Sequence, residues 1–162
     1  MATSVSLVLS TAPSEWKMDE VPESPQERLE RLANDTTLKP VERHTTILAL
    51  VQLAAPNDHL LLGQTSLDLA QAYLDNETPE PAAAHAERAE ALLLADAARL
   101  DSATLLPSAQ LALATALSAS AAALSTSRLP RPSHTATEQA ELYKRAAEAY
   151  QRALISTHAL HG

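Results

Sequence analysis

The sequence predicts an all-α protein, and two features of its composition and one of its spacing support this prediction. Alanine and leucine account for 33 and 28 of the 162 residues, and both are strong helix formers. Residues that favour sheets are scarce, with five valines, two isoleucines and no phenylalanine. A chain of this length suits one helical domain with a loosely attached arm. Small and apolar residues recur at helical spacings of three and four, as along the line Ala82, Ala86, Ala89, Leu93, Ala97 and Leu100.

Residues 1–23 predict an extended arm that precedes the helical domain. Val5, Leu7 and Leu9 alternate with serines, which is the period of a short strand. An acidic stretch that contains prolines follows. Trp16 lies in this arm, away from any periodic helix, so it is either a staple onto the protein's own helices or a hot spot for a partner. We therefore expect Leu7, Leu9 and Trp16 to take part in binding.

Residues 24–162 predict a domain of six helices. Ser24-Pro25-Gln26-Glu27 is a capping box with proline at the first helical position, and Thr135-Ala136-Thr137-Glu138 is a second capping box. Because the later connections are short, the helices are expected to pair as antiparallel hairpins, about 58–100 and 102–160. The predicted helices cover about 25–33, 40–55, 58–75, 79–100, 102–125 and 135–160.

The fifth predicted helix contains no charged residue from Ser102 to Ser127. Its length would permit a membrane span. However, its six serines, three threonines, Gln110 and Pro107 weaken the apolar character that a span requires. We interpret it as a buried helix of a soluble domain. The apolar run near the N-terminus is too short for a signal peptide, so we expect a cytoplasmic protein without membrane contact.

The order of small and aromatic residues repeats on successive predicted helices. The first pair of helices carries it at Leu69, Ala70, Tyr73, Ala82 and Ala89, and the last helix carries it at Ala146, Tyr150 and Ala153. This pattern resembles the tetratricopeptide repeat, a helical hairpin in which small residues let two helices approach closely. The resemblance implies an α-α superhelix of stacked hairpins. The second pair departs from the pattern, because its first helix matches weakly and its tip carries about 20 extra residues.

Residues 57–90 carry a closer resemblance. The run Asn57-Asp58-His59 enters a helix that ends with Leu69-Ala70 and Tyr73, and Ala84-His85-Ala86-Glu87 follows. This is similar to the tetratricopeptide repeat protein 23 family, which belongs with the kinesin-light-chain-like repeats, over residues 40–160. The resemblance implies a non-enzymatic scaffold in a ciliary or flagellar (axonemal) assembly. The alternative is a cytosolic peptide-binding adaptor of the motor-cargo or chaperone type.

The sequence argues against an enzyme and against a bound cofactor or metal. Its two glycines cannot build a phosphate-binding loop or a nucleophile elbow, and without cysteine there is no thiol nucleophile or thiolate zinc site. His85-Ala86-Glu87 lacks the cysteines that a zinc deaminase needs. His158 and His161 lie one helical turn apart, but no further ligand is near in sequence. Glu87 and Glu90 are expected on a solvated helix face.

Charge indicates the kind of partner. The net charge of −8 disfavours nucleic acid and acidic membranes. The predicted helix 58–75 has no lysine or arginine to grip a peptide carboxylate, so its face suits a basic or amphipathic helical segment of another protein. We expect the three tyrosines to be packing anchors. If no repeat follows the last helix, however, Tyr143, Tyr150 and Leu154 would be exposed and would need a partner.

The predicted helix 102–127 discriminates the two candidate functions. If another subunit buries its serine and alanine face, an obligate structural role follows. If the helix is closed within its own fold and the groove beside it is open, transient peptide binding gains support.

Overall fold

The computed structural model describes residues 23–126 and 134–161, and these ranges are entirely helical with short connections. The all-α prediction is confirmed. The six helices are α1 (Pro25–Asn34), α2 (Pro40–Ala54), α3 (His59–Asp75), α4 (Pro79–Ala95), α5 (Leu100–Thr126) and α6 (His134–His161). Each helix packs on the next one in the chain, and α3 also contacts α5. Residues 1–22, with Leu7, Leu9 and Trp16, lie outside the described residues, as do 127–133 and 162.

Local capping sets the first ends of α1 and α3. Ser24 and Glu27 form the predicted capping box: Glu27 Oε2 accepts from the Ser24 backbone N–H at 2.8 Å, and Ser24 Oγ accepts from the Glu27 N–H at 3.2 Å. These two bonds satisfy donors that helix geometry leaves free. Asp58 caps α3 in the same way, because its carboxylate accepts from the Leu61 N–H at 3.0 Å.

The fourth helix ends earlier than predicted. It stops at Ala95, and residues 96–99 turn the chain into α5, which begins at Leu100. The hydroxyl of Ser102 donates to Asp96 Oδ2 at 3.1 Å and ties the turn to the new helix. Ala97 and Leu100 are therefore exposed, so the inward line of α4 ends at Leu93. Residues 95–100 contain no glycine or proline that would end a helix, so the end of α4 depends on this turn.

Small residues let α3 and α4 approach closely. Gly63 of α3 faces the fully buried Leu93 of α4, and a Cβ built on Gly63 would lie 3.0 Å from the Leu93 side chain. Ala70 and Ala86 are also fully buried between the helices. The core therefore continues from hairpin to hairpin through alanine contacts, as the close packing of protein interiors requires.

The fifth helix is the most extensively buried. It lies between α4 and α6, with residues such as Ala109, Leu113 and Leu117 in the core. Within the described residues it is also the single helix long and apolar enough to cross a membrane, and half of its most apolar window is buried against its neighbours. Its packing is that of a core helix.

Candidate protein-binding groove

An open groove runs between α3 and α5, with a volume of about 710 Å³. We call it the α3–α5 groove. Its lining is Leu67, Asp68, Gln71, Leu74, Asp75, Glu77, Pro79, Ser108, Leu111, Ala112, Thr115, Ala119 and Ala123. Most of its surface is apolar. The two helices contact each other only along part of their length, and the groove is the space that remains beside that contact.

The charge of the groove has one sign. Asp68, Asp75 and Glu77 lie in its wall, and no lysine or arginine is among its described lining residues. Gln71 Nε2 donates to Asp75 Oδ1 at 2.9 Å and orients that carboxylate. Partial burial raises the pKa of the Asp68 carboxyl, and the nearby His44 opposes this effect. A carboxylate that has lost part of its hydration interacts favourably with an incoming cation.

The backbone at Glu77 adopts a left-handed conformation with φ of 56°. The Glu77 N–H donates to the Leu74 carbonyl at 3.0 Å, and the Thr78 N–H donates to the Tyr73 carbonyl at 2.9 Å. This is a Schellman ending, whose left-handed position is usually glycine. Glutamate there costs about 1 kcal/mol relative to glycine. The strained residue therefore places one of the three groove carboxylates.

The predicted repeat positions lie at helix crossings. Leu69 and Ala70 are buried in α3, and Tyr73 is partly buried, with its ring stacked on His85 at a centroid distance of 5.6 Å. The alanines are buried between helices at Ala82, Ala89, Ala146 and Ala153.

Tyr143 and Tyr150 are not core anchors in this chain. They are 46% and 42% exposed, and Leu154 is 73% exposed. No described helix packs on the outer side of α6, so these side chains are left exposed by the part of the chain that the structure describes. Tyr150 and Leu154 line a second depression of about 580 Å³ between α5 and α6, together with Pro107, Leu111, Thr157 and His161. We call this surface the α5–α6 edge.

The expectation that Glu90 is solvated is wrong. Glu90 is buried, and its carboxylate accepts from Arg152 Nε and Nη2 at 2.8 and 2.9 Å and from Gln110 Nε2 at 3.1 Å. The bond to Glu90 raises the pKa of Arg152. Arg145 pairs with Glu87 one helical turn away. Both pairs link α4 to α6 across α5. The sequence analysis could not predict them, because the paired residues are about 60 positions apart in the chain.

Within 23–126 and 134–161 there is no group of three or more His, Asp or Glu side chains placed to hold a metal ion. His158 and His161 lie on the last turns of α6, apart from the carboxylates of the α3–α5 groove.

No protein-family model matches this chain, and no curated protein or solved structure shows significant similarity to it. The resemblance to tetratricopeptide repeats therefore depends on the repeat positions alone and stays a hypothesis.

Proposed function

We propose that this protein is a non-catalytic adaptor whose stacked helical hairpins bind a basic, amphipathic helical segment of another protein in the α3–α5 groove. The single observation that supports this function best is the groove itself. It is open and apolar, and it carries three carboxylates with no cation among its described lining residues.

The hairpin order supports a tetratricopeptide-like stack. Helices α3 and α4 form one antiparallel pair, α5 and α6 form the next, and α5 packs on both members of the first pair. The α3 positions Leu69 and Ala70 correspond in the repeat pattern to Leu113 and Ala114 of α5, and all four are buried. In such a stack, the first helices of successive hairpins line one continuous surface, which here is the α3–α5 groove.

The burial of α5 favours a binding adaptor over an obligate structural subunit. The buried face of α5 is covered by α4 and α6 of its own chain. The surface left open beside it is the groove. An open apolar groove of this kind is suited to an amphipathic helical segment of a separate partner.

Charge and shape define the partner. Helix α3 has 17 residues and is about 25 Å long, so a partner helix of similar length fits beside it. Leu67, Leu74 and Leu111 offer contacts to an apolar stripe on that helix. Lysines or arginines beside the stripe would meet the carboxylates. A partner that presents its own carboxylate would find no cation in the described wall.

A ciliary or flagellar location is a separate proposal, and it rests on the family resemblance alone. Fluorescent tagging of the full chain in a ciliated cell tests it directly. Signal confined to the cell body would reject the location and leave the groove proposal intact.

Glu77 allows a sharp test of the groove. Glu77→Asn removes a groove carboxylate and places a residue that tolerates the left-handed backbone. The variant should be more stable than the parent by up to about 1 kcal/mol, yet bind a basic helix about two- to fivefold more weakly, since one exposed charge contact contributes about 0.5–1 kcal/mol. A loss of binding in a more stable protein cannot arise from unfolding.

The probe is a fluorescent helical peptide of leucine and lysine, about as long as α3, measured by anisotropy on the full chain. The same peptide with glutamate for lysine is the charge control. Glu80→Gln is the protein control, because Glu80 is an exposed carboxylate of α4 outside the groove lining. Equal binding of both peptides, or equal effects of the Glu77 and Glu80 variants, would reject the proposal.

A further inference from the structure

The outward side of α6 carries a regular line of exposed side chains at the spacing of two packed helices. Its intervals of four and three residues give the heptad period of a helix seam. We call this line the α6 seam, and its members are Tyr143, Ala147, Tyr150, Leu154 and Thr157. All five are exposed, and no described helix packs on them.

The corresponding positions of α4 hold a packed helix. An offset of 64 positions relates α4 to α6 in the repeat pattern, and it pairs Ala82 with Ala146, Ala86 with Tyr150, Ala89 with Ala153 and Glu90 with Leu154. Ala86 is fully buried in a cluster with residues of α5, and Glu90 accepts a hydrogen bond from Gln110 of α5. The short connection makes α4 and α5 antiparallel. The α6 seam therefore corresponds to a face that receives an antiparallel helix.

One position of this face differs in chemistry between the two helices. Glu90 on α4 accepts two hydrogen bonds from Arg152 of the following hairpin. The matching position on α6 is Leu154, which offers no acceptor. An arginine placed there would lose water without gaining a partner, whereas an apolar side chain would be buried favourably. The helix that fits the α6 seam is therefore apolar on its contact face.

The seam of a second copy is such a face. Among the described residues, the exposed large apolar side chains near the ends of other helices are Leu53, Leu61, Leu94 and Leu100. Leu111 stands alone in the middle of α5, whereas Tyr143, Tyr150 and Leu154 lie along one line of α6. Within the described part of the chain, α6 thus presents the helix face that matches its own seam.

The order of large and small residues suits an antiparallel pair of seams. A two-fold axis between Ala147 and Tyr150 places each of these residues opposite the other, so that a small side chain faces a large one. It also places Tyr143 opposite Leu154. A parallel pair would instead place Tyr150 against Tyr150, which is harder to pack closely.

Charge permits the same pairing. Two copies of an acidic chain repel each other over most of their surface, but the members of the α6 seam are uncharged. No carboxylate is among the described residues that line the adjoining α5–α6 edge. The antiparallel pair brings Lys144, which flanks the seam, beside Gln151 of the second copy rather than beside another lysine.

We propose that the α6 seams of two copies of this chain pack antiparallel and form a homodimer. The interface is isologous, since each copy contributes the same surface. The members of the seam are not among the described residues that line the α3–α5 groove. The dimer therefore does not depend on the groove or on its partner.

Analytical ultracentrifugation of the full chain tests the dimer. A contact along one helix is at the small end of specific interfaces, so we expect dimers that dissociate on dilution between about 100 and 1 µM. Leu154→Glu buries a charge in the contact and should weaken association at least about tenfold. Leu154 is 73% exposed in the single chain, so helix content by circular dichroism should stay unchanged.

Leu53→Glu is the matched control, since Leu53 is 83% exposed on α2 and lies outside the seam. It should associate as the parent does. A parent chain that stays monomeric up to about 100 µM overturns the proposal. Equal association of the parent and Leu154→Glu also overturns it.

Cross-linking tests the orientation, because the chain has no cysteine of its own. In the antiparallel pair, Ala147 lies about 5 Å along the helix axis from Ala147 of the second copy, and Thr157 lies about 25 Å from its counterpart. A short bismaleimide should therefore link Ala147→Cys into dimers and leave Thr157→Cys unlinked. Linking of both variants would indicate a parallel pair and overturn the proposal, as would linking of neither.

Discussion

Two ion pairs join α4 to α6. Each pairs an arginine with a glutamate, but one glutamate is buried and the other is exposed. Arg152 binds Glu90 with two hydrogen bonds, and the Glu90 side chain is 10% exposed. Arg145 pairs with Glu87, and these side chains are 44% and 47% exposed. Removal of each arginine by substitution with alanine should therefore destabilise the protein to different extents.

The magnitudes follow from what each glutamate loses. Arg152→Ala leaves a buried carboxylate with Gln110 as its remaining described partner, and hydrogen bonds to a charged group contribute about 1.5–3 kcal/mol. Arg152 is 43% exposed, so water replaces part of the lost interaction, and we expect a loss of about 2 kcal/mol. Arg145→Ala breaks an exposed pair and should cost about 0.5 kcal/mol.

Urea denaturation followed by circular dichroism measures both losses. For a chain of 162 residues, a change of 2 kcal/mol lowers the melting temperature by about 4–8 °C. Arg152→Lys keeps the charge without the paired geometry and should fall between the parent and Arg152→Ala. Equal destabilisation by Arg152→Ala and Arg145→Ala would refute the reasoning that burial of Glu90 sets the difference.

Three further substitutions test other parts of the fold. Tyr73→Ala removes a partly buried ring that packs in the α2–α3 core and stacks on His85. It should lower the free energy of unfolding by about 2–4 kcal/mol. A change below about 1 kcal/mol would show that the ring is not an anchor. Pro107→Ala restores a backbone donor inside α5 and should raise the free energy of unfolding by about 1–3 kcal/mol in the same urea assay. A lower free energy of unfolding would mean that the helix needs the proline. Burial and then Arg88 lower the pKa of His85, so the folded state favours the neutral ring and loses stability as the pH falls from about 7 through the ordinary histidine range. His85→Phe keeps an aromatic ring against Tyr73 and should lose less stability between pH 7 and pH 5 than the parent; equal losses would exclude His85 as the cause.

Features that depend on residues close together in the chain were predictable from the sequence, whereas features that depend on distant residues were not. The start of α1 was predictable because Ser24 and Glu27 bond to each other's backbone within one turn. The end of α4 was not, because residues 95–100 contain no local stop signal and the turn closes through Ser102 and Asp96. The buried state of Glu90 depends on Arg152, 62 positions along the chain.

The candidate groove also has features that the sequence predicted and features that only the packing of the helices decided. Its acidic and apolar character was readable from α3, whose residues include no lysine or arginine. The position of α5 beside α3 leaves the groove open there, and that position depends on the packing of α5 between α4 and α6. The carboxylate of Glu77 enters the lining through a left-handed backbone that its residue type does not favour.

By itself, the sequence determined the helical class, most helix boundaries and the small residues at the crossings, because propensity, capping and periodicity act within a few residues. The tertiary structure alone decided which polar groups are buried, where α4 stops and which apolar faces stay open. Those outcomes depend on contacts between helices far apart in the chain. The acidic groove is a product of that packing, and it is the surface on which the proposed function depends.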